Sequence, residues 1–148
     1  MKISIRKPTK KEIPIILGLL YELGRPRAKQ SSDANIYENL IKKYLEDSDK
    51  QILVAILEAK IVGIVSIVYI PRLNQKSLEM YIPELLVTKN FQNQGIGKKL
   101  VHSCIELAMK KKCHRIRLES GNQRKESHIF YKNLEFSQSS LSFSKNLE

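Results

Sequence analysis

Ile82-Pro83-Glu84-Leu85-Leu86-Val87-Thr88-Lys89-Asn90-Phe91-Gln92-Asn93-Gln94-Gly95-Ile96-Gly97-Lys98-Lys99 is the stretch that decides the fold. An apolar run ends, two glycines follow, and a helical period opens. Ile96, Leu100, Val101, Cys104, Ile105, Ala108 and Met109 share one helix face. A helix N-terminus offers unpaired N–H groups and a partial positive charge, which together hold a phosphate. Glycines let the main chain approach that anion, and Lys98 and Lys99 add charge. Two other phosphate motifs fail. The P-loop requires glycine five residues before Gly-Lys and Ser or Thr after it, but Gln92 and Lys99 stand there. The dinucleotide fingerprint requires a third glycine, and Leu100 takes its place. Taken alone, the stretch reads equally well as a tight turn.

Working outward, Leu78–Val87 reads as a strand into these glycines. Upstream, Gln51–Leu57 and Ile61–Ile70 are Ile/Val-rich and flank Glu58-Ala59-Lys60, an antiparallel hairpin. Residues 2–6 alternate as a short strand. Thr9 and Glu12 form a capping-box pattern opening a helix to about Leu23, with Pro14 just past its first turn. Residues 25–33 form a polar loop, and Ile36, Tyr37, Leu40, Ile41, Tyr44 and Leu45 mark a second helix ending near Asp47. Downstream, Arg115–Glu119 is a strand, 123–133 a helix and 136–145 a final alternating strand. The order β-α-α-β-β-β-α-β-α-β predicts an α/β (α+β) chain. Its central sheet is mixed and mostly antiparallel, with about four helices, in a single domain over 1–148.

The composition fits an ordinary folded domain: 148 residues, 42% hydrophobic and 28% charged. No apolar run approaches the ~20 residues that span a membrane, and the start lacks a signal-peptide core. The expectation is a cytoplasmic protein without a membrane partner. Cys104 and Cys113 read as reduced structural thiols, too far apart on one helix for a disulfide, and no metal-ligand spacing occurs. Net charge is +11, spread over both halves. It favours polyanions or a phosphate-bearing cofactor without choosing among them. Lys110-Lys111-Lys112 with Arg115 and Arg117 reads as a solvated helix end, since no aromatic residues are interleaved for base stacking.

Gln92-x-x-Gly95-x-Gly97 after Glu84-Leu85-Leu86-Val87 resembles the pyrophosphate motif of the GNAT superfamily of N-acetyltransferases. Arg124-x-x-Ser127-His128-x-Phe130-Tyr131 followed by Phe136 is similar to that family's C-terminal motif, except that Glu135 replaces its usual glycine. The resemblance covers residues 2–24 and 51–143. It implies acetyl-CoA as donor and no metal. Leu85, Leu86 and Val87 would bond the pantetheine arm through the main chain. Gln92, Asn93, Gln94, Gly95, Ile96, Gly97 and Lys98 would form the pyrophosphate loop, with Arg124 a further donor contact. The family shows a bulge near Pro83, where a regular ladder rejects proline.

A protonated amine of pKa ~10.4 cannot attack a thioester at neutral pH. Glu84 is the candidate base, read as alternating with Met80, Ile82 and Leu86 on an apolar face where a carboxylate is costly. Its alternative is an ion-paired structural carboxylate. By the resemblance Tyr131 is the general acid; its alternative is a packed core tyrosine. His128, one helical turn earlier, reads as structural rather than as a relay. Cys104 faces the core and is rejected as an acetyl carrier. In the resembling family the loop between the first two helices grips the acceptor. Here Arg25, Arg27 and Lys29 populate it, pointing to an acceptor with an anionic group. The strand and ending also resemble aminoalkylphosphonate N-acetyltransferases. The expected reaction is acetyl transfer to a primary amine of a small molecule within a ternary complex, without nucleic acid. A protein or peptide amine, a non-catalytic CoA- or nucleic-acid-binding module, and a homodimer stay open.

Overall fold

The computed structural model describes residues 2–24 and 27–148. The chain divides into two compact units, Met1–Arg117 and Leu118–Glu148. In order come β1 (Ser4–Arg6), α1 (Ile13–Tyr21), α2 (Ser31–Glu46), β2 (Lys50–Leu57), β3 (Lys60–Pro71), β4 (Leu78–Ile82), β5 (Leu85–Val87), α3 (Ile96–Lys110), β6 (Arg115–Leu118) and α4 (Lys125–Asn133). This is the expected mixed sheet of six strands with four helices. Strand order is β1-β2-β3-β4-β6, with β5 also paired to β3. No helix among the described residues is long and apolar enough to cross a membrane.

The hairpin forms as predicted. Leu57 pairs with Lys60, so Glu58 and Ala59 alone make the turn, at φ 51° and 63°. Two successive positive φ values define a type I′ turn, whose twist matches the strands. On one sheet face Ile52, Val54, Ile64 and Leu86 pack against Ile13, Ile16 and Leu17 of α1 and Ile41 of α2. On the other, α3 buries Ile96, Leu100, Val101, Cys104 and Ala108. Gly63 allows that close approach. A Cβ there would meet the Leu86 carbonyl oxygen at 3.0 Å and Leu100 Cδ1 at 3.2 Å.

Three sequence expectations change. Lys10–Glu12 is a 3₁₀ turn, so α1 starts at Ile13 and Pro14 lies inside its first turn. Proline sacrifices no helical bond there. The strand read as Leu78–Val87 is two, β4 and β5, separated at Pro83 and Glu84. The alternation over 136–145 forms no strand, and Leu141 and Phe143 stay exposed. Five serines fill the stretch from Ser137 to Ser144. Serine hydroxyls compete for backbone partners, and Ser142 bonds the Glu119 carboxylate. Leu141 and Phe143, left exposed, bury too little surface to offset the ordering of ten residues.

Candidate active site

The site grows from the break at Pro83. The last β5 pair is Val65↔Leu85 and the nearest β4 pair is Val68↔Tyr81. Between them Ser66 and Ile67 stand opposite Ile82, Pro83 and Glu84. Three residues against two make a β-bulge, the irregularity expected where proline cannot donate. The extra residue shifts the phase of the strand. Met80 pairs with Tyr69, whose ring lies under Lys111 at the end of α3. Met80 and Ile82 therefore face α3. Leu86 belongs to the α1–α2 core, and Glu84 shares its face. The sequence reading, which set Glu84 in line with Met80 and Ile82, is corrected by that one residue.

Ser66 holds Glu84 at several atoms. Its N–H donates to the Glu84 carbonyl at 2.9 Å, and its Oγ accepts the Glu84 N–H at 2.9 Å. The same hydroxyl donates to Glu84 Oε2. Ser66 is buried. Tyr44 of α2 has its hydroxyl shut away from solvent, with no hydrogen bond of good geometry among the described residues. Burial pushes that phenol up to about 12, the Glu84 charge adds to the rise, and Ser66 pulls the other way. Asp47 and Tyr81 contribute smaller upward effects. Tyr81 carries the Arg117 guanidinium 4.4 Å over its ring. Ser66, Tyr44 and Tyr81 escaped the sequence reading. One signal was available: Ser66 is the lone hydroxyl in Ile61-Val62-Gly63-Ile64-Val65-Ser66-Ile67-Val68.

A second missed group lies farther along the same face. Glu79 is fully buried, with Arg115 Nε at 2.5 Å, Arg117 Nε at 3.0 Å and Arg72 at 3.9 Å. Burial pushes its carboxyl up, but the bonds and charges of Arg115 and Arg117 outweigh that and hold it below the usual range.

Beyond the bulge, β5 pairs with β3 and, among the described residues, with no other strand, while β6 pairs with β4. One edge of Leu85–Val87 is therefore open to an added extended ligand. Gln92 Nε2 donates to the Val87 carbonyl at 3.0 Å and so folds the following loop back onto β5. Asn93 and Gly95 adopt φ 62° and 84°. The first bond of α3 runs from Lys99 N–H to Gly95 carbonyl, 3.1 Å. The amides of Ile96, Gly97 and Lys98 precede it and need another partner. A Cβ on Gly95 would meet no protein atom within 4 Å, so the space above the loop is open. Lys98 is exposed there, whereas the Lys99 ammonium turns to the Ile3 carbonyl at 3.4 Å. These residues fit a pyrophosphate.

In the second unit Tyr131 sits on α4 between Phe130 and Phe136, ring centroids 5.1 and 5.8 Å away. His128 Nε2 donates to the Gly121 carbonyl at 2.8 Å, a structural bond. Arg124 caps α4, its N–H on the same carbonyl at 3.0 Å. In the first unit Arg27 stacks 4.9 Å over the Tyr21 ring. Arg25 lies outside the described residues. Cys104 is fully buried and its thiol is pushed up to about 12, which disfavours the thiolate.

A strand that breaks at a bulge, keeps one edge open and runs into a glycine-started helix makes an extended groove that ends at an anion-holding helix N-terminus. Residues 18–136 match the Acetyltransferase (GNAT) family, and the chain belongs to it. No curated protein sequence matches. The structure is similar to that of a transcriptional regulator from Bacillus halodurans C-125, with TM-score 0.90, 25% identity, and 99% and 100% of the two chains covered. It is also similar to glucosamine-6-phosphate N-acetyltransferase from Arabidopsis thaliana, with TM-score 0.83, 20% identity and 100% of both chains covered. A third likeness is an aminoglycoside acetyltransferase from an uncultured soil metagenomic sample, with TM-score 0.80, 21% identity, and coverage of 99% and 97%. Such different acceptors on one fold leave the substrate to be argued from the site.

Proposed function

We propose that this chain is an acetyl-CoA-dependent N-acetyltransferase for a small-molecule primary amine bearing an anionic group. The observation that carries the reading is the Pro83 bulge. It sets the Ser66-held carboxylate of Glu84 beside the strand whose open edge fits a pantetheine arm. The donor supplies a thioester-activated acetyl group. Leu85, Leu86 and Val87 hold its arm through the main chain, and Gln92 to Lys98 hold its pyrophosphate, with Arg124 a further contact. Glu84 takes the proton that the amine must lose, directly or through a water. Tyr131 gives a proton or a hydrogen bond to the departing thiolate. That proton transfer is uphill by roughly 2 kcal/mol from a phenol to a thiol, so hydrogen bonding is the larger part of its role. Transfer is direct, within a ternary complex.

Support for an anionic acceptor comes from Arg25 and Arg27 in the loop between α1 and α2, and from the +11 charge, which disfavours polycations. Glucosamine 6-phosphate, the amine in one similar structure's name, has that chemistry. The test is a panel of amines, with and without carboxylate, phosphate or phosphonate groups, scored by release of CoA thiol. Turnover confined to the anionic amines supports the reading. Turnover of aminoglycosides or of protein N-termini alone overturns it.

A further inference from the structure

The far end of α3 from the Gly95 loop, about 22 Å away along the helix, holds a second basic feature. There the β3–β4 turn and the residues after α3 line a pocket of about 410 Å³. Among the described residues Arg72, Lys76, Lys111 and Lys112 line it, and no acidic residue does. Gln75 and Ser77 add neutral donors. Two of the four cations are held by side-chain contacts and a third by its backbone alone. The Arg72 guanidinium lies 3.9 Å from the buried Glu79 carboxylate. The Lys111 ammonium lies 4.4 Å over the Tyr69 ring. Lys112 is fixed by its main chain. Cys113 N–H reaches the Ala108 carbonyl at 2.9 Å and Lys112 N–H the Met109 carbonyl at 3.1 Å. This is the paired bonding of a Schellman motif, whose left-handed position glycine normally fills. Lys112 occupies it at φ 57°. A lysine there is strained where glycine would not be, yet it puts another charge at the pocket. The same bonds cap the last helix carbonyls, so fewer oxygens face an incoming anion.

We propose that this pocket binds a compact polyphosphate anion of the di- or triphosphate class, at a site separate from the acetyl donor. Like charges gathered around one cavity repel, and an anion bearing several phosphate oxygens relieves this through charge-assisted hydrogen bonds. The pocket is partly open to solvent, and its volume admits a di- or triphosphate that keeps part of its water shell. The lining has no aromatic platform on which nucleic-acid bases could stack. The inference does not rest on the transfer reaction.

The test is calorimetric titration of inorganic tripolyphosphate into the full chain already saturated with acetyl-CoA, which occupies the Gly95 loop. One saturable site is expected, with affinity reduced about tenfold in Lys76→Glu. Lys112→Gly is expected to weaken binding severalfold while raising the melting temperature by roughly 2–5 °C, because strain is relieved. Absence of saturable binding overturns the proposal. So does affinity unchanged in both variants. An RNA oligonucleotide that binds more tightly, with steep salt dependence, overturns it in favour of a nucleic-acid surface. If acetyl-CoA does not bind, two variants locate the site. Tripolyphosphate binding lost in Lys76→Glu supports the pocket, and binding lost only in Gly95→Val counts against it.

Discussion

Glu84 takes its place from Ser66, its direct neighbour on β3 and eighteen residues away in sequence. If it is the base, Glu84→Gln keeps the shape and removes the proton acceptor. Turnover of the amine identified by the panel should then fall by ~10–10³-fold at neutral pH. The loss should shrink toward pH 9–10, where the amine deprotonates unaided. A fold loss constant across pH would make Glu84 a positioning group instead. Glu12 has a separate, structural role. Arg6 donates two hydrogen bonds of 2.8 Å to its carboxylate, the Thr9 amide donates a third, and they lower its pKa to about 2. The folded value lies below the unfolded one. This stabilisation is therefore complete above the ordinary carboxylate range and is lost as pH falls toward 2. Melting curves of the parent and Glu12→Gln should differ most near neutrality and converge in acid. A gap of constant size would remove protonation of Glu12 as the cause.

At the scale of the elements, two substitutions separate necessity from tolerance. Gly63→Ala pushes a methyl against the Leu86 carbonyl, which belongs to a paired strand and cannot turn aside. The expected loss is ~1–3 kcal/mol, read from chemical denaturation. Replacing Glu58-Ala59 by Asn-Gly keeps the type I′ turn and puts residues that tolerate positive φ at both of its positions. A gain of about 1 kcal/mol is expected, and a loss would contradict the turn assignment. These elements were legible because their signals are local: Ile and Val runs, a helical period, glycines at the phosphate loop. Glu79 was invisible because alternation shows that two faces differ, not that both are covered. Ser66 stood out as a lone hydroxyl in an apolar run, but its role and that of Tyr44 depend on strands and helices that meet only after folding. The serine-rich end misled because alternation specifies a strand only where a partner edge accepts it.

For the molecule as a whole, the proposed donor should add to the stability. Acetyl-CoA binding only the folded chain at ~100 times its dissociation constant adds ~2.7 kcal/mol, a rise of several degrees in the melting temperature. Gly95→Val should abolish the rise, since its side chain would fill the open space above the loop. An unmoved parent melting curve at millimolar acetyl-CoA would remove the donor assignment. The bulge carries one more consequence, for insertions and deletions. Removing Pro83 would leave Ile82 opposite Ile67 and Glu84 opposite Ser66, while Tyr81 and Leu85 kept Val68 and Val65. Every side chain on both flanks would retain its face. The sheet would close into one regular ladder from Leu78 to Val87. A chain one residue shorter should thus fold as well as its parent, or better. What it forfeits is the bulge that separates β4 from β5. Pro83 is a residue that the architecture alone does not require, and under the proposed function a relative shorter by one residue here would keep the fold and lose its hold on the donor.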